Sequence, residues 1–267
     1  MHKVVLGRTG IESSYLSMGT GTVGGGQASN QTRLGHDELV QLFGYAHDRG
    51  VTTIDCADSY GSHPHVADHV RAVGRDNVLI ATKTGAKDAD KARADIVRYL
   101  AELDTDRLDV VLMHGMGHSG WPTDRRPVMD TLSEFRRQGV IGAVGVSCHD
   151  HGALRSAADQ EWVDFVLARI NHDGVRMDGS PDEIVATLRR IHGAGKAVCG
   201  MKVVGQGPLV EQYRDAIEFV YDLDCVDMMT IGMESRAEID ANVACIEELH
   251  GPVPPPAAAV AEGARVA

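Results

Sequence analysis

An α/β barrel of eight strand–helix units, the (β/α)8 or TIM-barrel class with an N-terminal β-hairpin closing its bottom, is what the sequence predicts. Three observations carry that expectation. Short apolar runs recur at 15–18, 51–55, 78–82, 109–113, 142–146, 165–170, 197–201 and 226–231. Segments of helical spacing separate them, giving a repeat of roughly 25–35 residues, the length a parallel crossover needs. The Gly-rich "GTGTVGGG" after the first run carries the G-x-G-x-x-G spacing at Gly19, Gly21 and Gly24, but it does not fit well the full fingerprint that a doubly wound open sheet favours.

Taken in order, "HKVVLGRTGIESSYLSMGTG" holds two apolar stretches around the turn signal "GRTG", a small hairpin leading into the first barrel strand near Tyr15–Met18. "HDELVQLFGYAHDRG" is amphipathic and ends at Gly50, a C-cap signal. "DADKARADIVRYLAEL", "DTLSEFRRQG", "SPDEIVATLRRIHGAG" and "SRAEIDANVACIEELHG" read the same way. Ser180, Pro181 and Glu183 supply an N-cap, a proline at the first helical position and a capping-box glutamate. We expect a single barrel over 1–250 and a mobile Pro/Ala-rich tail over 251–267.

The bulk properties narrow the class of function. The chain has 267 residues, 43% of them hydrophobic, enough for one large core. With 38 acidic and 26 basic residues the formal charge is −12, which argues against a nucleic-acid partner. No apolar run approaches the ~20 residues of a membrane span, and "MHKVVLGRTG" has no signal-peptide core. Cys56, Cys148, Cys199, Cys225 and Cys245 lack a C-x-x-C pair and read as reduced thiols. A cytoplasmic protein is expected, with its oligomeric state open.

All strand C-termini of a parallel barrel share one face, where chemistry sits. Asp55 follows "VTTI", Lys83 follows "NVLIAT", His114 follows "DVVLM" and Ser147 follows "AVGV"; Tyr60 lies on the loop after Asp55. Singly, each has a bland reading as a cap, a solvated lysine, a core histidine or a loop aromatic. Together they place a carboxylate, an ammonium, an imidazole and a phenol on one rim. A free phenol has a pKa near ~10, and a neighbouring ammonium lowers it. Such a phenol, with a neutral histidine beside it, suits proton donation to a carbonyl that is receiving a hydride. No side chain supplies hydride, so a cofactor must.

On these residues the chain resembles the aldo-keto reductase family. "LGRTGIESSYLSMGTG" is similar to the family's opening, "GVTTIDCADSYG" to its Asp-and-Tyr motif, "ATKTG" to its Lys motif and "LDVVLMH" to its His motif. "GVIGAVGVS" resembles the stretch before its carboxamide-binding serine, and "TIGMESRAEIDANV" its closing cofactor segment. The resemblance implies NAD(P)H-dependent carbonyl reduction of a small molecule. Tyr60 would be the acid, Lys83 and Asp55 its tuners and His114 the substrate orienter. Gly19, Thr20, Asp55, Ser147, Cys148, Asn171, Met201, Lys202, Gly232, Glu234 and Asn242 would lie at the cofactor, with Lys202 supporting the pyrophosphate. NADP is the family's usual cofactor. Glu234 stands where NADP-specific members carry a cation, so NAD is expected to serve as well, with Arg236 able to reach round from two residues on.

The chain departs from the pattern in places. Cys148 replaces the amide that usually follows the serine, Leu167 stands where a glutamine belongs, and Met201 replaces the tyrosine that stacks on nicotinamide. Trp121, in "HGMGHSGWP", is the candidate hydrophobic wall near His114. His63, His65 and His69 in "SHPHVADH" could share a helix face and hold a metal, but exposed histidines at a helix start are commoner, and no metal is expected. Two rival functions keep the barrel. One is a Schiff-base lyase using Lys83, and the other is a nicotinamide-nucleotide-binding regulatory barrel with little turnover.

Overall fold

Eight parallel strands close into the expected barrel. They are β3 (Leu16–Gly19), β4 (Thr53–Asp55), β5 (Leu79–Thr84), β6 (Leu108–Met116), β7 (Ile141–Cys148), β8 (Phe165–Arg169), β9 (Ala197–Met201) and β10 (Met228–Gly232). Each pairs with the next, and β10 returns to β3 to complete the circle. The computed structural model describes residues 1–251; the Pro/Ala-rich tail read at 251–267 lies, beyond Gly251, outside the described residues.

β1 (Lys3–Val5) and β2 (Glu12–Ser14) form the antiparallel hairpin. Its tip carries Leu6, which is fully buried among Leu79, Val110, Ala143, Phe165 and Ala197, the first inward-facing residues of five strands. The hairpin therefore plugs the bottom. Gly7 at the tip has φ +48°, and a Cβ there would come within 2.5 Å of the Ala197 nitrogen, so only glycine allows this approach. Arg8 anchors the other side by donating to the Glu161 and Val163 carbonyls at 2.6 and 3.3 Å.

The period-two alternation of strands sets what reaches the mouth. In β5, Leu79, Ala81 and Lys83 face inward, while Ile80 packs outward against the helices. In β8 the inward series is Phe165, Leu167, Arg169, and in β9 it is Ala197, Cys199, Met201. The bottom and middle layers form a dry apolar plug, and the third layer adds polar groups such as Lys83 and Arg169 beside Met201.

Helices α1 (Asn30–Arg33), α2 (His36–Asp48), α3 (His63–Val73), α4 (Ala89–Glu102), α5 (Trp121–Asp124), α6 (Arg126–Arg137), α7 (His151–Asp159), α8 (Pro181–Gly193), α9 (Tyr213–Tyr221) and α10 (Arg236–His250) surround the sheet. The Ser180–Glu183 capping box forms as expected: the Ser180 hydroxyl accepts from the Glu183 amide, and the Glu183 carboxylate accepts from the Ser180 amide. All five cysteines are free and buried. Among the described residues no helix is long and apolar enough to cross a membrane.

Candidate active site

Asp55 is the last residue of β4 and Lys83 the inward-facing fifth residue of β5, so both project into the mouth. The Lys83 ammonium, 1% exposed, donates to Asp55 Oδ1 at 2.6 Å and to the Cys56 carbonyl at 2.8 Å. Burial alone would lower the pKa of Lys83. The charge of Asp55 and its hydrogen bond to the ammonium oppose burial, and the net direction is upward, so the group stays cationic.

Tyr60 closes a 3₁₀ turn (Asp58–Tyr60), and its ring covers this pair, with the Lys83 nitrogen 5.0 Å from the ring centroid. The turn is held from both sides. Gly61 has φ +69°, and a Cβ there would meet the Gln27 carbonyl oxygen at 2.2 Å. A Cβ on Gly21 would lie 2.4 Å from the Tyr60 ring, so this glycine is what lets the β3–α1 loop lie flat on the phenol. Burial raises the Tyr60 pKa, the Lys83 ammonium opposes that, and Asp55 adds to it; the net direction is upward. The lowered phenol expected from the ammonium is thus not what the surroundings give. Desolvation wins, and Tyr60 holds its proton.

His114 lies in β6 at a register shift against β7 between Met113 and Met116, beside Gly115 with φ +70°. Such a bulge re-aims a side chain. His114 Nε2 shares a 3.3 Å hydrogen bond with the Tyr60 hydroxyl. Burial, then the nearby Lys83 and His149, push its pKa down to about 3, so it is a neutral imidazole at physiological pH. The four residues named from strand ends and the following loop therefore meet: Asp55 on Lys83, Lys83 under Tyr60, Tyr60 on His114.

From this cluster a cleft of about 780 Å³ runs across β3 and β10 to the first turns of α10, and the 202–213 segment forms its other wall. Gly19, Asp55, Tyr60, Met201, Lys202, Gly232, Glu234 and Asn242, all named in the sequence analysis, line it. Other expected cofactor residues do not. Thr20 is wholly buried, with its hydroxyl donating to the Asp55 carbonyl at 3.0 Å and sharing a 2.8 Å bond with Ser62, so it ties the ends of β3 and β4 together. Asn171 is committed to its own loop. Its amide donates to the Val175 and Lys202 carbonyls, and its oxygen accepts from the Asp173 and Val175 amides. Cys148 alternates with Ser147 and so packs outward in the helix layer, where burial holds its thiol protonated; it does not face the mouth.

Several groups went unread in the sequence. Thr230 lines the cleft, and its buried hydroxyl has no partner; the expected cofactor residue Ser147 also has a buried, unpaired hydroxyl but is not part of the cleft lining. Arg169 ends the inward series of β8 and pairs with Asp178 at 2.9 Å, but its buried Nε has no partner. The inward-alternation rule would have found both Arg169 and Thr230.

The remaining candidates turn elsewhere. Trp121 is 1% exposed, packed beneath α7 with its indole nitrogen donating to the Ala153 carbonyl at 3.1 Å, and is no substrate wall. His63 uses both ring nitrogens, on Glu102 at 2.8 Å and Thr82 at 2.9 Å. His65 packs on His36, and His69 on Phe43 and His47, in the α2–α3 interface. They are buried, not the exposed histidines expected of a helix start. Among the described residues, no group of three or more His, Cys, Asp or Glu side chains is arranged to hold a metal. Arg236 stacks on the Tyr45 ring at 5.1 Å rather than reaching into the cleft.

A strand-end acid–base cluster opening onto a long cleft marks a (β/α)8 barrel with its candidate active site at the C-terminal rim. The model of the aldo/keto reductase family matches residues 15–251, and the chain belongs to that family. It is 31% identical over 156 residues to the aldo-keto reductase YhdN of Bacillus subtilis, covering 52% of this chain and 44% of that one. It is 25% identical over 192 residues to the NADH-specific methylglyoxal reductase of Escherichia coli, covering 63% and 59%. The chain thus spans about half the length of the curated relatives it matches. Among solved structures, one from Pseudomonas aeruginosa described as an aldo-keto reductase superposes with a TM-score of 0.79 at 24% identity, covering 93% of this chain and 95% of that one. The holo form of a Bacillus halodurans aldo-keto reductase gives 0.76 at 19%, covering 92% and 91%. These two likenesses concern the fold.

Proposed function

We propose that the chain is an NAD(P)H-dependent carbonyl reductase acting on a small aldehyde or ketone, with Tyr60 as the general acid. The observation that carries this is the buried Asp55–Lys83 pair at 2.6 Å beneath a phenol that is itself 3.3 Å from a neutral histidine. The cleft fits a dinucleotide. It is long, floored by Gly19 and Gly232 where side chains would collide with Thr230 and Thr22, and it presents the unpaired Thr230 hydroxyl. When bound there, a reduced nicotinamide supplies the hydride. Met201 and Leu167 would give its ring an apolar seat, and Glu234 would accept from ribose hydroxyls.

The residues of the chain do the rest. Tyr60 and His114 converge on one point in the mouth, where a carbonyl oxygen would accept from both. As negative charge grows on that oxygen, Tyr60 gives up its proton. Even a phenol with a raised pKa is far more acidic than the alcohol being formed. Lys83 then stabilises the phenolate, and Asp55 keeps Lys83 charged and in place. A Schiff-base role for Lys83 is disfavoured, because a nucleophilic amine must be neutral and reachable, and this one is neither. The regulatory-barrel reading draws support from Asn171, whose amide is spent on its own loop.

The charge along the cleft favours NAD alongside NADP. Glu234 and Glu238 lie at the α10 end, and Arg236 is turned away on Tyr45. Five buried free thiols and an acidic net charge suit a cytoplasmic enzyme with neither nucleic acid nor membrane as partner. The test is Tyr60→Phe assayed with a panel of aldehydes. Carbonyl reduction should fall by ~10²–10⁴-fold while cofactor affinity is kept. Normal turnover in the variant would remove Tyr60 from the role.

A further inference from the structure

The mouth holds cations that the acid–base cluster does not use. Lys202 immediately follows β9, has φ +61° and lines the cleft together with Asp55 and Tyr60. Arg169, whose Cα is in register with Met201, ends the neighbouring strand. Arg176, with φ +54°, sits on the loop between β8 and α8. Among the described residues, neither Lys202 nor Arg176 has an ion pair or a side-chain hydrogen bond, although this chain carries twelve more formal negative than positive charges. Arg169 pairs with Asp178 through one nitrogen only and leaves its buried Nε unpartnered. Burial, followed by the charges of Arg169 and Arg176, lowers the pKa of Lys202, so these cations act on one another across the mouth. Concentrating unpaired positive charge in one place costs energy that an anion would recover.

The loop geometry holds this arrangement. The Asn171 amide donates to the Lys202 carbonyl at 3.1 Å, and the Gly205 amide donates to the same oxygen at 2.8 Å. Lys202 is thus fixed in a left-handed backbone conformation that non-glycine residues seldom adopt. Its position beside Tyr60 and Asp55 puts it at the reacting end of the cleft, whereas the α10 end is lined by Glu234 and Glu238.

Resting on the reductase reading above, we propose that Lys202 and Arg169 form an oxyanion subsite for the substrate, which is an aldehyde or ketone bearing a carboxylate a short distance from its carbonyl. Lys202 binds the carboxylate as a point charge, and Arg169, held by Asp178, adds its positive charge from the neighbouring strand. Neutral dicarbonyls make no use of these groups. The reaction balances as before: one hydride to carbon from the reduced nicotinamide, one proton to oxygen from Tyr60, with the carboxylate unchanged. The other oxyanion that could claim Lys202 is the dinucleotide pyrophosphate, as the family resemblance implies.

The test compares aldehydic carboxylates of two to four carbons with their methyl esters, in wild type and in Lys202→Met and Lys202→Arg. Methionine keeps the reach of the side chain and adds no new backbone cost at φ +61°. The readout is the ratio of kcat/KM for acid over ester, together with dissociation constants for NADH and NADPH. Wild type should prefer the acid by roughly ten- to a hundredfold, the scale of a hydrogen bond to a charged group. Lys202→Met should bring the ratio towards one through KM, and Lys202→Arg should keep most of it. A wild-type ratio near one overturns the subsite. So does a ratio that survives Lys202→Met while dinucleotide binding weakens, which would assign Lys202 to the pyrophosphate. If neither acid nor ester is reduced, the reductase reading fails, and calorimetry with the unreactive anion butyrate decides the subsite separately. Binding that is lost in Lys202→Met supports it, and no binding to wild type overturns it.

Discussion

Replacing Asp55 by asparagine keeps the shape of the mouth and removes one charge of its buried pair. The Lys83 ammonium, 1% exposed, would be left with the Cys56 carbonyl at 2.8 Å and a neutral amide. Stranding one partner of a buried ion pair costs about 3–5 kcal/mol. Asp55 is itself slightly exposed, which favours the lower figure. For a chain of this size that is a fall in Tm of roughly 6–20 °C, measurable by scanning calorimetry or fluorimetry. Removing Lys83 as well, in Asp55→Asn/Lys83→Met, takes away the stranded charge and should restore part of the loss. The pH dependence separates the cause from ordinary damage. In wild type the folded pKa of Lys83 is raised, so its contribution is complete below the ordinary lysine value of ~10.4 and is lost only as pH climbs through the folded value. In Asp55→Asn, burial dominates and the folded pKa falls below the ordinary value. The unfolded chain then binds more protons than the folded one, so the variant should gain stability as pH rises from 7 to 10, while this group leaves wild type flat. A variant that loses less than ~1 kcal/mol and keeps the wild-type pH slope would refute the ion-pair account.

Other outcomes follow from the same geometry. Lys83→Met should move the pH profile of alcohol oxidation upward, because the Tyr60 phenolate loses its cation; an unmoved profile would break that coupling. Glu234→Arg should shift preference towards NADPH by ~1 kcal/mol or more, read from paired dissociation constants at one ionic strength; a wild type already preferring NADPH by about a hundredfold would sink this use of Glu234. His63→Leu should cost about 1–3 kcal/mol by stranding the buried Thr82 hydroxyl, while Glu102 keeps Arg98. Zinc should not raise the Tm of wild type, and a rise that His63→Leu abolishes would revive the metal reading. His2 and His69 are held neutral with pKa values of about 4, so their contribution is complete above ~6.5 and is lost as pH falls towards 4. His69→Gln should flatten that acid limb, and an unchanged limb would clear His69 of responsibility.

The barrel was legible because strand period, helix period and crossover length agree at every unit, from Val51–Asp55 through Ala197–Met201. Asp55, Lys83 and His114 were legible because each directly follows an apolar strand run at the C-terminal rim. Arg169 obeys the same rule, but in one dimension nothing ties it to Asp178, which lies across a loop. The spacing of His65 and His69 describes a metal face and a packed face equally well; only the opposing helix, with His36, Phe43 and His47, decides between them. Trp121 has the same ambiguity, since its hydrogen-bond partner is 32 residues away. The sign of the Tyr60 shift was out of reach, because the ammonium's pull can be read from a motif and the depth of burial cannot.

The departures from the family pattern form one physical change rather than several unrelated ones. Leu167, where the sequence resemblance would place a glutamine, joins Leu112, Cys199 and Met201 in the apolar plug directly below the mouth. Asn171, which keeps its family identity, is spent on holding the loop that fixes Lys202. An apolar layer therefore lies directly below the acid–base cluster. Lower polarity there strengthens the Asp55–Lys83 attraction and raises the cost of leaving any nearby charge unpaired. The remaining strong directional groups lie at the rim, in Arg169 and Lys202. With the proposed subsite, orientation in this mouth would come from apolar shape on one side and from charge carried by the substrate on the other. Such a site should discriminate acids from their esters more sharply than it discriminates between carbonyls of similar size.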